Sequence, residues 1–166
     1  MKFKASFDTT TKIISLIATV LVLVIFTFLW MNLKDAGIMR ISLMVFVTFL
    51  ALVMPYGLSV TYYQINNEAL SVCRPFGKKQ FPITTLTSAT IIDPKLLRWS
   101  WRVFGSGGLF GYYGRFSNKH FGMMTWFLTR RNKVVYLQLE NGKKIMISPD
   151  DPEGFIREYN LLKGIQ

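Results

Sequence analysis

Ile13-Ile-Ser-Leu-Ile-Ala-Thr-Val-Leu-Val-Leu-Val-Ile-Phe-Thr-Phe-Leu-Trp-Met31 and Ile41-Ser-Leu-Met-Val-Phe-Val-Thr-Phe-Leu-Ala-Leu-Val-Met-Pro-Tyr-Gly-Leu-Ser59 are two uncharged runs of 19 residues, nine residues apart. At ~1.5 Å per residue each makes a helix of roughly 28 Å, close to the ~30 Å hydrocarbon thickness of a bilayer. They are expected to form a transmembrane helical hairpin at 13–31 and 41–59, behind an N-terminal tail at 1–12 and ahead of a folded domain at 60–166. Lys2, Lys4 and Lys12 before the first run also suit a cleaved signal peptide, but the run ends in Leu29, Trp30 and Met31 without a small-x-small site. A buried hairpin of a soluble protein needs more chain to cover it than this sequence of 166 residues, 51% apolar, supplies.

The distribution of Lys and Arg orients the hairpin. Three stand in the tail and Arg74, Lys78 and Lys79 follow the second run, against Lys34 and Arg40 between the runs. This predicts a multi-pass protein of the bacterial cytoplasmic (inner) membrane with both termini and the domain in the cytoplasm. Cys73, the single cysteine, has no partner for an internal disulfide, in keeping with a reducing compartment. Neither run holds Asp, Glu, Lys, Arg or His, so the usual marks of an ion or proton path are missing. Pro55 and Gly57 are expected to end the second helix, and Trp30 and Tyr56 to sit at the interfaces.

Residues 60–166 carry 15 of the 20 Lys and Arg and seven of the nine Asp and Glu, a net charge of +8. Beside an anionic bilayer such a domain is drawn to the surface. The same charge suits nucleic acid, but excess Lys and Arg on the cytoplasmic side already follows from topology, and no nucleic-acid partner is expected. The rest of the pattern is short alternating strands with turns between them: Val60 to Ile65, Leu70 and Val72 before Arg74-Pro75-Phe76-Gly77, Lys79 to Phe81, a helical turn at Pro82 to Leu86, and Ser88 to Ile92. Met124 to Thr129, Val134 to Leu139 and Lys144 to Ser148 follow, the last pair joined by Asn141-Gly142, and read as an antiparallel meander. Ser148-Pro-Asp-Asp-Pro-Glu153 starts a helix whose Phe155, Tyr159 and Leu162 share one face. The class is α+β, mostly β: a bent antiparallel sheet or barrel of about seven strands closed by a C-terminal helix.

Residues 60–166 resemble a bacterial pleckstrin-homology (PH) domain of the kind found behind one or two transmembrane helices. The resemblance rests on Arg102-Val-Phe-Gly105-Ser-Gly107-Gly108-Leu-Phe-Gly111-Tyr-Tyr-Gly114, on Thr129-Arg130-Arg131-Asn132-Lys133-Val134, and on Ile147-Ser-Pro149 followed by Phe155. It implies the fold and a scaffold or binding role, with no catalytic residues to carry over. The Lys-x-Gly signature of phosphoinositide-specific PH domains is missing from the first hairpin turn, which has Asn66, Asn67 and Glu68.

The glycine-aromatic segment has two readings. In one, the glycines build turns and bulges while the aromatics fill the core. In the other, Leu109, Phe110, Tyr112 and Tyr113 dip into the membrane interface or a protein partner, with Arg98, Arg102, Arg115 and Lys119 on anionic lipid headgroups. The glycine spacing does not make a nucleotide loop, since Phe110 stands where a third glycine is needed. His120, the only histidine, has no Cys, Asp or Glu beside it in sequence, and Asp150, Asp151 and Glu153 are explained by the helix start, so no catalytic, cofactor or metal site is expected. The function that remains is a membrane-anchored, non-catalytic binding or scaffold module for a protein partner, a second copy or the anionic membrane surface. The alternative is an accessory or regulatory subunit of a larger membrane enzyme or transporter.

Overall fold

The computed structural model of the protein describes residues 1–33 and 37–164; Lys34 of the inter-run loop lies outside them. The chain opens with a short strand, β1 (Lys2–Lys4), and enters the first helix, α1 (Thr9–Leu33). The helix starts before the apolar run because the Asp8 carboxylate accepts the Thr11 N–H at 2.7 Å and so caps the first turn. The second helix, α2 (Ile38–Gly57), ends two residues after Pro55, where the missing N–H weakens the ladder. Both helices are long and apolar enough to cross a membrane. They pack on each other and turn large apolar side chains such as Leu16, Phe28, Phe46 and Phe49 outward. An all-round apolar surface of this kind suits hydrocarbon and not water.

After α2 come β2 (Tyr62–Ile65), β3 (Ala69–Cys73) and β4 (Lys78–Pro82), a 3₁₀ turn at Ile83–Thr85, and β5 (Leu86–Ile92). A second 3₁₀ turn at Pro94–Leu97 leads to β6 (Trp101–Gly108), β7 (Gly111–Asn118), β8 (Gly122–Leu128), β9 (Val134–Leu139), β10 (Lys144–Ile147) and α3 (Pro152–Lys163). The expected architecture is the observed one, a helical pair followed by a sheet domain with a C-terminal helix. Among the described residues the strands form two open sheets and no closed barrel, in the orders β1-β2-β3-β4 and β5-β9-β10-β8-β7-β6. β1 lies antiparallel on β2, with Phe3 opposite Tyr63, so the stretch ahead of α1 and the stretch behind α2 meet in one sheet. Both helices therefore leave the domain from the same side.

One pairing departs from the expected meander. β10 does not simply extend a β8-β9 hairpin; it inserts between these two strands, antiparallel to β9 and parallel to β8. The reason is burial on both faces: Ile145, Met146 and Ile147 are all inside, and such a strand is stable only in the middle of a covered sheet. Ile145 and Ile147 face a core shared with Tyr63, Leu70, Phe127 and the α3 residues Phe155 and Tyr159. Met146 faces a second core with Leu97, Tyr112, Phe116 and Trp126, in which the Phe116 and Trp126 rings stack at 4.0 Å.

α3 is capped by Asp151, which accepts the Gly154 N–H, and stops at Gly164 with φ 65°. Asp150 closes the same corner: it pairs with Arg130 at 2.9 Å and accepts from the Ser6 N–H. Burial pushes its carboxyl up, but Ser6, Arg130 and Lys133 outweigh that and hold it below the usual carboxylate range.

Candidate functional site

The glycine-aromatic segment folds into the β6-β7 hairpin, and its glycines follow from close backbone approach. Gly105 and Gly114 face each other at φ 115° and 123°, and a Cβ on either would stand 2.1 Å from the Tyr113 carbonyl oxygen or 2.2 Å from that of Phe104. Only glycine meets both conditions. The hairpin turn is Leu109-Phe110, with Phe110 in the left-handed region at φ 52°.

That turn is pressed against the roots of the two helices. The Phe110 N–H donates to the Ser15 hydroxyl of α1 at 2.8 Å, and the Phe110 ring meets Tyr56 of α2 edge to face at 5.7 Å. The Tyr113 hydroxyl donates to the Pro55 carbonyl at 2.9 Å, taking up an oxygen near the end of α2. Two further bonds hold the junction: the Phe76 N–H donates to the Gly57 carbonyl at 2.9 Å and the Asp8 N–H to the Thr129 carbonyl at 3.3 Å. The sheet domain is thus bolted to both helices through a sheet hairpin and two loops.

The seven residues singled out from the sequence, Arg102, Leu109, Phe110, Tyr112, Tyr113, Arg115 and Lys119, do not share one surface. Tyr112 and Tyr113 are only 5% and 8% exposed, and burial pushes both phenols up, opposed at Tyr112 by Thr11 and Arg131 and at Tyr113 by Ser106 and Arg74. Leu109 and Phe110 are half-buried at the helix roots. Arg102, Arg115 and Lys119 are exposed, but Lys119 lies beside Trp99 and Trp101 while Arg102 lines a groove against the helices. For the two tyrosines and the turn, packing is therefore the reading that fits.

The aromatics that do face outward are the neighbours. Trp99, Trp101 and Phe104 are 81%, 78% and 76% exposed, and Val103 projects with them where the β6-β7 register shifts. They lie on or just before β6, the outer strand of the six-stranded sheet, whose far side has no strand partner among the described residues. In sequence, Trp99, Trp101 and Phe104 belong to the same aromatic-rich stretch as the buried Tyr112, Tyr113 and Phe116. Their one local signal is that large residues on both sides of the alternation, from Trp101 to Phe104, outnumber what one buried face takes.

The groove lies where the hairpin, the helix roots and the Arg74 loop meet, with a volume of about 590 Å³. Ile14, Met54 and Leu58 form its helix wall, and Arg74, Arg102 and Phe104 its domain wall. The Arg74 guanidinium lies over the Phe127 ring at 4.8 Å, and its Nε is buried with no hydrogen-bond partner among the described residues. Burial lowers its affinity for a proton, with the Tyr113 phenol pulling the other way.

Comparison with known proteins agrees with this fold. No curated protein and no solved structure matches the chain. The family described as Bacterial PH domain matches residues 61–162, which takes in β2 to β10 and nearly all of α3. Domains of this family are generally non-catalytic binding modules. With 61–162 making up more than half of the chain, the protein belongs to the bacterial PH domain family.

Proposed function

We propose that the protein is a membrane-anchored binding module whose two helices cross the bacterial cytoplasmic membrane and whose PH domain, on the cytoplasmic side, receives a protein strand along β6. The observation that carries this is the open edge of β6, where unpaired backbone groups run beside exposed Trp101, Val103 and Phe104. An apolar edge of this kind is a ready template for another chain, and natural sheets usually blunt it. The anchor is supported by the outward-facing apolar helices and by their common exit from the domain, the cytoplasmic side by Lys2, Lys4, Lys12, Arg74, Lys78 and Lys79.

A second reading, the accessory subunit of a larger membrane enzyme or transporter, is favoured by one feature. Val22, Ile25, Leu29, Leu43 and Val47 line an apolar groove of about 480 Å³ between the helices that could take a partner helix.

Photo-crosslinking in native membranes distinguishes the two. A benzophenone amino acid at Trp101 of the full chain is expected to give a discrete protein adduct, which Phe104→Asp removes, while the same group at Arg157 on α3 gives none. Adducts from Val47 to a protein and none from Trp101 would overturn the edge-strand reading in favour of the accessory subunit.

A further inference from the structure

We infer that the strand received along β6 is two-faced, with apolar residues on one side alternating with Asp or Glu on the other, and that Arg102 and Arg131 hold the acidic side. The inference rests on the reading that β6 takes a partner strand, and it names what that strand carries. Residues directly opposite each other in an antiparallel pair share one face of the sheet, so the β6-β7 register sorts the side chains of β6. Trp101 stands opposite Ser117 and Phe104 opposite Arg115, whereas Arg102 stands opposite Phe116 and Gly107 opposite Tyr112. The register shift after Arg102 returns Phe104 to the side of Trp101. The edge of β6 therefore has an apolar side, with Trp101 and Phe104 exposed, and a basic side, with exposed Arg102 followed by the bare backbone of Gly105 and Gly107.

The basic side suits a carboxylate. Arg102 lies over Gly107, its Nη1 3.4 Å from where a Cβ would stand, and shares a cavity of about 320 Å³ with Arg131, Tyr112, Phe116 and Trp126. Arg131 is placed by its hydrogen bond to the Leu97 carbonyl at 3.0 Å and by the Tyr112 and Trp126 rings, 5.7 and 5.8 Å away. No Asp or Glu lines the cavity, and neither guanidinium has a carboxylate partner among the described residues, where the ion pair is Arg130–Asp150. The adjoining hollow adds Lys95 and Arg98 and one carboxylate, Asp8, which caps α1. Guanidinium forks with donors to spare match the paired oxygens of Asp or Glu. A strand laid on β6 sends its side chains alternately to the two sides, so acidic residues that reach Arg102 have neighbours that meet Trp101 and Phe104. At the other end of β6 a Cβ on Gly108 would stand 2.9 Å from Ile14 Cδ1 of α1, so the open stretch is the one from Trp101 to Phe104. A second copy pairing β6 on β6 does not supply the acid, since that strand holds no Asp or Glu.

Fluorescence anisotropy with the full chain in nanodiscs of phosphatidylcholine tests this at one ionic strength. The probes are labelled peptides of equal length: alternating valine and glutamate, alternating valine and glutamine, and a block isomer with all valines before all glutamates. The alternating acidic peptide is expected to bind roughly tenfold tighter than either of the others, the size of one charge-assisted hydrogen bond, and to lose that advantage in Arg102→Gln but not in Lys143→Gln on the distant β9-β10 turn. Arg102 is exposed, so its variant leaves the core intact. Equal binding of the glutamine peptide would overturn the acidic side alone and leave the strand reading standing. Equal binding of the block isomer, or binding unmoved by Arg102→Gln, would show attraction to net charge and overturn the inference as well. No binding of any alternating peptide also overturns it, and the Trp101 crosslink then decides separately whether the strand reading falls with it.

Discussion

The glycine-aromatic segment should divide into two groups under mutation, and the division follows from burial and not from residue type. Tyr113 is 8% exposed, and its hydroxyl donates to the Pro55 carbonyl. Tyr113→Ala removes a buried ring at a cost of about 3 kcal/mol or more, and it strips an acceptor at the end of α2 of its donor. At roughly 4–8 °C per kcal/mol for a domain of this size, the melting temperature should fall by at least ~12 °C. Tyr113→Phe keeps the ring and loses only the hydrogen bond, about 1 kcal/mol. Trp101 is chemically the larger side chain, yet at 78% exposure Trp101→Ser should stay within ~0.5 kcal/mol of the parent. The assay is thermal unfolding of the full chain in one detergent, followed by near-ultraviolet circular dichroism of the sheet domain. The reasoning fails if Trp101→Ser melts as early as Tyr113→Ala, or if Tyr113→Ala melts with the parent, because either result would place the wrong aromatics inside.

Two further outcomes come from single residues. Tyr63 is fully buried, its hydroxyl donating to the Phe127 carbonyl and accepting the Ser148 N–H at 3.0 Å, and burial pushes its phenol up to about 12. The unfolded chain ionises this group near ~10, so stability should fall as pH rises from ~10 to ~12, by up to ~2.7 kcal/mol from Tyr63 alone. In urea titrations across that range, Tyr63→Phe should lose stability less steeply with pH than the parent; equal slopes would show that Tyr63 does not set the alkaline limit. Gly114→Ala puts a Cβ 2.2 Å from the Phe104 carbonyl at φ 123°, so it should cost more than ~2 kcal/mol and loosen the β6-β7 pairing. Amide exchange of β6 as slow as in the parent would contradict that.

Some of the chain could be read residue by residue before any tertiary contact was known. The turn residues Asn66-Asn67, Arg74 to Gly77 and Asn141-Gly142 bracket β2, β3, β9 and β10 closely, because turn chemistry acts within four residues. Asp151 and Pro152 mark the start of α3 for the same local reason. The β8-β10 parallel pair was not legible, since a short apolar strand carries no record of which neighbour it will take. The exposure of Trp99, Trp101 and Phe104 was hidden likewise: buried Phe116 and exposed Phe104 follow the same local alternation, and only their place on an inner or an edge strand separates them.

By itself, then, the order of residues determined what depends on near neighbours and on solvent: two apolar helices, the strand and turn sequence, the capped C-terminal helix, and the one-sided basic charge. Those follow from hydrogen-bond periodicity and from transfer of side chains between water and apolar surroundings, which act along the chain. The tertiary structure alone decided that β1 returns to β2, that the Leu109-Phe110 turn bolts the domain to the helix roots, and that Arg74 and Arg102, 28 positions apart in sequence, line one groove. Each of these is a contact between distant segments, chosen by which surfaces can bury each other without leaving a polar group unpaired, and that choice exists only once the whole chain has folded.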